Sequence, residues 1–198
     1  MRGTCKKYAV FFSCAARKVL CLSVNTRTVA SNTYSARSRT PRADCSLIGL
    51  ISDTHGLLRP EAITALQGSD LIIHAGDVGG PTILDRLRTI APVIAVRGNI
   101  DEASWASALP KTEIAQAGRA TIYVLHDIHD LDLDPAAAGF DITISGHSHK
   151  PGQILRSGVL YINPGSAGPR RFKLPVTVAR LNVSQQPWAV EFIDLLRS

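Results

Sequence analysis

Long apolar runs are missing from this sequence of 198 residues. Gly, Ser or a charged residue interrupts each stretch before it reaches the roughly eighteen consecutive apolar residues of a membrane-crossing helix. We therefore expect no membrane span. Hydrophobic residues still make up 45% of the chain, which is enough to build the core of one soluble, globular domain.

Acidic residues are almost missing from residues 1–45, which hold nine Lys and Arg against the single acid Asp44. Residues 46–198 carry thirteen basic and fifteen acidic groups, so the net charge of +6 comes from the first stretch. The remainder therefore has no overall basic excess to attract nucleic acid phosphates. Binding to duplex nucleic acid is not expected.

Cysteine is absent after residue 45. The four thiols have no C-x-x-C spacing and no neighbouring His that would complete a zinc site: Cys5, Cys14, Cys21 and Cys45. Disulfides are therefore expected to be irrelevant to the core, which is compatible with a reducing compartment.

Residues 1–45 are basic, rich in Ser and Arg, and lack sustained hydrophobic periodicity. We expect a disordered extension there and a folded domain over residues 46–198. Two interpretations of the extension stay open. Its composition is typical of an organellar transit peptide, whereas an inert tail or a misassigned start would leave the protein in the cytoplasm.

From Ser46 onward, short runs of Ile, Leu and Val alternate with Gly, Pro, Asp and Asn. These runs predict strands at 47–52, 71–76, 93–98, 121–126 and 142–146. Helical patterns that begin near Pro60 and Pro81 separate the first three strands. Strand and helix alternating in this way is typical of a parallel α/β sheet.

The second half of the sequence is richer in strands. Hairpins are predicted to turn at 117–118 and 157–158, and alternating segments at 176–183 and 188–196 predict two more antiparallel strands. The expected fold class is therefore α/β, with a second sheet packed on the first.

Polar residues follow the predicted strands at their carboxyl ends, where loops converge and ligands bind in open α/β sheets. They comprise two carboxylates, one amide and four imidazoles: Asp53, His55, Asp77, Asn99, His126, His147 and His149. Each alone is explained by a turn-forming Asp or a hydrogen-bonded His. Together in one cleft they would be costly to bury without cations, so they predict a metal site.

Oxygen and nitrogen ligands without thiolate favour Mn, Fe, Co, Ni or Zn. Seven ligands are too many for one tetrahedral ion, so we expect two divalent ions that share a carboxylate. Such a pair supplies a hydroxide between the ions and stabilises the attacking and leaving oxygens of an in-line displacement. The predicted reaction is hydrolysis of phosphate esters.

The order Asp-x-His, Gly-Asp, Gly-Asn, His, Gly-His-x-His resembles the calcineurin-like metallophosphoesterases, and in particular their small bacterial and archaeal phosphodiesterase branch. The resemblance covers residues 46–198. It implies a four-layer αββα fold, in which helices flank a two-sheet β-sandwich, and Mn as the first choice of metal. It assigns Asp53, His55 and His149 to the first ion, Asn99, His126 and His147 to the second, and Asp77 to both. It further implies catalytic roles for four of them: Asp77, Asn99, His126 and His147.

Three positions depart from the family pattern. Ile100 stands where a His often assigned to leaving-group protonation follows the Asn. This either favours esters with stable leaving groups or requires another donor, because a proton donor is worth roughly 10² to 10⁴ in rate. Asp127 replaces a Gly and either orients His126 or shapes the turn. His129 either reaches the cleft as a proton donor or faces solvent.

Other polar residues near the motifs have ordinary explanations. His74 is expected to be a hydrogen-bonded core residue, and Arg97 to pair with Asp101 rather than to meet a substrate phosphate. The segment 163–166 resembles a loop near the active-site rim in this branch of the family, and the alternative is an ordinary turn. A basic cluster after it either attracts anionic substrate or forms a solvated edge: Arg170, Arg171 and Lys173.

We therefore expect a two-metal phosphoesterase that acts on phosphodiesters or small organic phosphates. The alternative is a protein-interaction scaffold, because the family includes a retromer subunit of this fold with a degraded metal site. The presence of all seven ligand residues favours the enzyme. The sequence leaves open whether copies of the chain associate.

Overall fold

The computed structural model describes residues 45–197. The predicted extension therefore lies outside the described residues, apart from Cys45. The elements in chain order are β1 (Leu47–Ile51), α1 (Pro60–Leu66), β2 (Leu71–His74), α2 (Pro81–Arg88), β3 (Val93–Ala95), a 3₁₀ helix (Ser104–Ala108), β4 (Thr112–Ala117), β5 (Ala120–Leu125), a 3₁₀ helix (Ile128–Asp130), β6 (Ile142–Ile144), β7 (Gly152–Arg156), β8 (Val159–Asn163), β9 (Thr177–Asn182) and β10 (Ala189–Asp194).

The first sheet has the strand order β10-β9-β1-β2-β3. Strands β1, β2 and β3 run parallel, and β9 and β10 add to the sheet in antiparallel pairs. Pro60 and Pro81 open α1 and α2, where a fixed φ and a missing N–H suit the first helical position. This is the predicted strand and helix alternation.

The second sheet has the order β4-β5-β6-β8-β7. Both predicted hairpins form, as β4–β5 and β7–β8, while β6 pairs in parallel with β5 and β8. The parallel strands of both sheets end one to three residues earlier than predicted, because the residues of the polar motifs leave the strand ladder and enter loops.

Two buried clusters hold the layers together. The first lies between the sheets and takes side chains from both, among them Leu50, Ile73, Val124 and Ile144. The second packs α1 and α2 on the outer face of the first sheet. The predicted two-sheet sandwich flanked by helices is confirmed. Within the described residues, the only helix between the strands of the second sheet is the short 3₁₀ helix after β5.

Cys45 belongs to the core between the sheets, with 7% of its surface exposed. The expectation that the folded part contains no thiol is therefore wrong by one residue. The reason is that Val183 donates a hydrogen bond to the Ser46 carbonyl, so the chain is already ordered beside β9 before β1 begins.

No helix among residues 45–197 combines the length and the apolar character needed to cross a membrane.

Candidate metal centre

The loops at the carboxyl ends of five strands bring all seven predicted site residues together. Each has a side-chain N or O atom within 3.9 Å of such an atom of another. The first sheet contributes four of these site residues, from the loops after β1, β2 and β3: Asp53, His55, Asp77 and Asn99. The second sheet contributes three, from the loops after β5 and β6: His126, His147 and His149.

Asp53, His55 and His149 form one half of the site. Oδ2 of Asp53 accepts hydrogen bonds from the Ser52 hydroxyl (2.7 Å) and from the backbone N–H of His147 (3.1 Å). Oδ1 is buried and accepts no hydrogen bond of good geometry within the described chain, although it lies 3.2 Å from Nε2 of His149 and 3.9 Å from Nε2 of His55. The two Nε2 atoms are 3.5 Å apart. Three ligand-type atoms thus converge on one point.

Asn99, His126 and His147 form the other half. Oδ1 of Asn99 lies 3.0 Å from Nε2 of His126 and 3.2 Å from Nδ1 of His147, and these two nitrogens are 3.3 Å apart. Nδ1 of His126 lies 2.7 Å from the Ala75 carbonyl, which fixes the ring and directs Nε2 at its neighbours.

Asp77 stands between the two halves. Its Oδ1 lies 3.4 Å from Nε2 of His126 and accepts the Ile100 N–H at 3.1 Å, while its Oδ2 lies 3.8 Å from Nε2 of His55. Burial raises the pKa of Asp77, but the hydrogen bonds with His126 and Ile100 outweigh burial and leave the pKa below its usual value. The same contact raises the pKa of His126 against the effect of burial. Asp77 is therefore a carboxylate at neutral pH.

The backbone of the site is unusual. Five of the seven residues have positive φ values of 46–64°, a region in which Asp and His are tolerated better than most side chains: Asp53, His55, Asp77, His147 and His149. The glycines of the Gly-Asn and Gly-His motifs are required by close approach. A Cβ at Gly98 would overlap the backbone of Asp77, and one at Gly146 would overlap the Ser52 hydroxyl.

Asp101 ties the loops after β2 and β3 to each other. Its buried carboxylate accepts the backbone N–H groups of Val78 (3.0 Å), Gly79 (2.9 Å) and Gly98 (3.0 Å). The predicted pair with Arg97 is wrong, because both carboxylate oxygens are turned toward these amides. Sequence reasoning missed this role, for which the spacing Gly-Asn-x-Asp was the available signal.

Asp127 contacts His147 and not His126. Its Oδ2 lies 3.4 Å from Nε2 of His147, and its Oδ1 accepts from the backbone N–H of His129 and contacts Nδ1 of that ring at 2.8 Å. The expectation that Asp127 shapes the turn is confirmed, and the expected contact with His126 is wrong because the side chain of Asp127 lies against His147 and His129 at the start of the 3₁₀ helix. His129 is 85% exposed, as its solvent-facing interpretation required.

His74 is fully buried, as expected of a core residue. Its Nε2 lies 2.9 Å from Oγ1 of Thr54, which donates to the Val78 carbonyl. Burial lowers the pKa of His74 to about 4, so the ring is neutral at physiological pH.

The segment 163–166 borders the site, as predicted. Asn163 donates to the Gly146 carbonyl (2.6 Å) and Ser166 to the Asp53 carbonyl (3.0 Å). Beyond it, Nη2 of Arg171 lies 3.4 Å from Nε2 of His55. Burial is the main reason that the pKa of His55 lies below its usual value, and Arg171 lowers it further.

The arrangement suits divalent cations. The orphaned Oδ1 of Asp53 and the opposed ring nitrogens are groups that a cation would satisfy. Two sets of Asp and His each place one ligand atom within 4.8 Å of the others: Asp53 with His55 and His149, and Asp53 with Asp77 and His126. Asp53 is thus close to both halves, whereas the resemblance assigned it to one ion.

Comparison with known proteins agrees with this geometry. The model of the calcineurin-like phosphoesterase superfamily domain matches residues 47–186, which include the whole site. The probable metallophosphoesterase MJ0623 of Methanocaldococcus jannaschii is 40% identical over 133 residues, or 61% of this chain and 67% of that protein.

Two solved structures share the fold. An archaeal phosphodiesterase has a TM-score of 0.62 at 23% identity, over 74% of this chain and 99% of its own. Vacuolar protein sorting 29 from Cryptosporidium parvum has a TM-score of 0.59 at 19% identity, over 75% of this chain and 96% of its own. The sandwich with its polar strand ends, and a family match over most of the described chain, identify the protein as a member of the calcineurin-like phosphoesterase superfamily.

Proposed function

We propose that this protein is a two-metal phosphoesterase that hydrolyses phosphodiesters or small organic phosphates. The observation that carries the proposal is the position of Asp77, whose two oxygens face different histidines, His126 and His55. A carboxylate in that position is suited to share its oxygens between two cations. Mn is our first choice of metal, ahead of Fe, Co, Ni and Zn.

The chain's residues would divide between the ions as follows: Asp53, His55 and His149 on one, Asn99, His126 and His147 on the other, and Asp77 on both. When bound, such ions supply Lewis acidity and a water-derived nucleophile at neutral pH. Asp77 is already a carboxylate, and His126 is held by the Ala75 carbonyl with Nε2 toward the site. The protein's contribution is therefore to present these ligands in fixed orientations.

Ile100 affects which phosphate esters the proposed enzyme would hydrolyse. Its side chain is 43% exposed beside Asn99 and has no proton to give. The nearby His129 is held by Asp127 and directed to solvent. Leaving groups that depart as stable anions are therefore favoured, because they need no proton in the transition state.

A scaffold that works through protein contacts is the second candidate. The fold does not separate the two, since an archaeal phosphodiesterase and a vacuolar sorting protein both share it at under 25% identity. The full set of converging ligand atoms supports the hydrolase, because contacts with a protein partner do not require seven such groups at one point.

The test is hydrolysis of bis(p-nitrophenyl) phosphate and of p-nitrophenyl phosphate by the Mn-loaded protein, with metal content measured in parallel. We expect faster turnover of the diester. Asp77→Asn should lower turnover at least about a hundredfold, more than loss of residues that only support a ligand. Asp85→Asn, on the exposed face of α2, is the control.

Two results would contradict this proposal in different ways. Turnover that survives Asp77→Asn would refute the site assignment. Stoichiometric metal binding without turnover of either ester would favour the scaffold.

A further inference from the structure

The loop 166–171 is fastened to the same strand end that carries Asp53 and His55. Ala167 donates its N–H to the Ser52 carbonyl (3.0 Å) and Gly168 to the Asp53 carbonyl (3.2 Å). Ser166 adds a side-chain bond to the Asp53 carbonyl, and Arg59 donates to the Gly168 carbonyl at 3.4 Å. These bonds anchor residues 166–168 to the strand end that carries two proposed metal ligands, three residues before Arg171.

Arg171 places a cation where its surroundings do not neutralise it. Its Nη2 lies 3.4 Å from Nε2 of His55, a ring nitrogen and not an anion. Among residues 45–197 no carboxylate oxygen lies within 4.0 Å of its guanidinium, whereas Arg88 and Arg197 each pair with an aspartate. A planar guanidinium beside a phosphoesterase site matches the geometry of a phosphate.

Exposed apolar side chains lie close in sequence to these residues. Seven large apolar residues of the described chain are exposed, and three of them lie within two positions of a proposed metal ligand or of Arg171: Leu57, Ile100 and Phe172. Leu57 is two residues after His55, Ile100 is next to Asn99, and Phe172 is next to Arg171. Single exposed apolar residues are ordinary, but three that lie close in the chain to residues of one polar site favour a ligand with an apolar part. Phe172 is 94% exposed and is the only aromatic of the three.

We propose that Arg171 binds the phosphate of the substrate and that Phe172 stacks on a flat aromatic group of the same molecule. The substrate class is therefore a phosphate ester that also carries an aromatic ring, and within that class we name a nucleoside phosphate diester. This inference rests on the proposed phosphoesterase function and names its substrate. Aromatic rings bind bases by stacking regardless of sequence, which requires no duplex.

The binding of phenyl phosphate and of methyl phosphate to the Mn-loaded protein separates the two contacts. The two ligands share the phosphate and differ in the ring. We expect Arg171→Ala to weaken both about tenfold, as for loss of a charge-assisted bond at a partly exposed site. Phe172→Ala should weaken phenyl phosphate about fivefold or more and methyl phosphate less than about twofold, while Phe172→Tyr retains both.

Matched controls are Arg156→Ala and Leu155→Ala, exposed residues of β7 at the end of the hairpin away from Asn163. Metal content and the melting temperature should be equal in all variants, which shows that the ligand set is intact. Calorimetry measures binding, and phosphate release is assayed on the same samples so that heat from hydrolysis is not counted as binding.

This inference would be overturned if Phe172→Ala lost affinity equally for phenyl phosphate and methyl phosphate. It would also be overturned if Arg171→Ala lost no affinity for either. A wild-type protein that hydrolyses no ester, yet binds the two ligands in the expected pattern, would refute the hydrolase proposal and support the recognition of an aromatic phosphate.

Discussion

Asp127 lies beside the ring of His147, with Oδ2 of Asp127 3.4 Å from Nε2 of His147. The opposite ring nitrogen, Nδ1, faces Asn99 and His126. The ring can therefore donate its Nε2 proton to Asp127 while Nδ1 keeps its lone pair for a ligand. The pKa of Asp127 is raised by burial but lowered more by its hydrogen bonds with His129, so it stays anionic.

Asp127→Ala should weaken binding of a metal ion roughly 10- to 100-fold, because His147 loses the group that fixes its orientation. Metal titration of the chelator-treated protein measures the effect. The control is His129→Ala, which removes a solvent-exposed ring from the other oxygen of Asp127 and should leave metal affinity within about twofold. Equal affinities in wild type and Asp127→Ala would show that the contact has no orienting role.

Gly98→Ala should abolish turnover and destabilise the domain by about 1 to 3 kcal/mol, as expected for overpacking against rigid backbone. The new methyl group would overlap the amide and carboxylate of Asp77, neither of which is free to move. Gly152→Ala is the comparison, since nothing lies within 4 Å of a Cβ there, and its effect should stay within about 0.5 kcal/mol. Chemical denaturation and the diester assay report the two consequences separately. An active, stable Gly98→Ala protein would contradict the close approach of the two loops.

Asp101→Ala should lower the free energy of unfolding by about 3 kcal/mol, because three backbone N–H groups lose their acceptor. Asp101→Asn keeps one carbonyl oxygen and should cost less. Urea denaturation at pH 7 compares both with Glu102→Ala, an exposed neighbour expected to change stability by under about 0.5 kcal/mol. If Asp101→Ala proved no more destabilising than Glu102→Ala, the carboxylate would not be what joins the loops.

His74 should make the domain less stable as the pH falls from about 6.5 to 4. In the unfolded chain the ring takes up a proton below pH 6.5, whereas burial delays this in the folded protein until about pH 4. The unfolded state binds the extra proton in that window, so the free energy of unfolding decreases by up to about 3 kcal/mol. Denaturation across pH 4 to 7 should show a shallower decline in His74→Gln. Parallel curves for the two proteins would mean that His74 does not resist protonation.

The strands and the site could be predicted because both depend on local patterns. Apolar runs such as Leu47–Ile51 must be buried, and a polar residue at the end of such a run can only lie at the edge of the sheet. The loops at the carboxyl ends of parallel strands are neighbours, which places Asp53 beside Asp77 without further information.

The errors concern which partner a side chain meets across loops. Arg97 and Asp101 are close in sequence, yet Asp101 turns to amides of the loop after β2. Asp127 follows His126 directly, yet it begins the next 3₁₀ helix and its side chain contacts His147 instead. The contact of Arg171 with His55 joins residues 116 positions apart through the path of one loop, which no spacing rule encodes.

The candidate site is divided between the two sheets, and this has a consequence for residues far from it. Four of the proposed ligand residues follow strands of the first sheet and three follow strands of the second, so the buried cluster that includes Leu50, Ile73, Val124 and Ile144 sets the distance between the two groups. Under the proposed metal binding, a substitution that changed the volume of this cluster would change the spacing of the two groups, and with it the preferred ionic radius, while every ligand stayed the same. Metal selectivity would then depend on the interior of the protein.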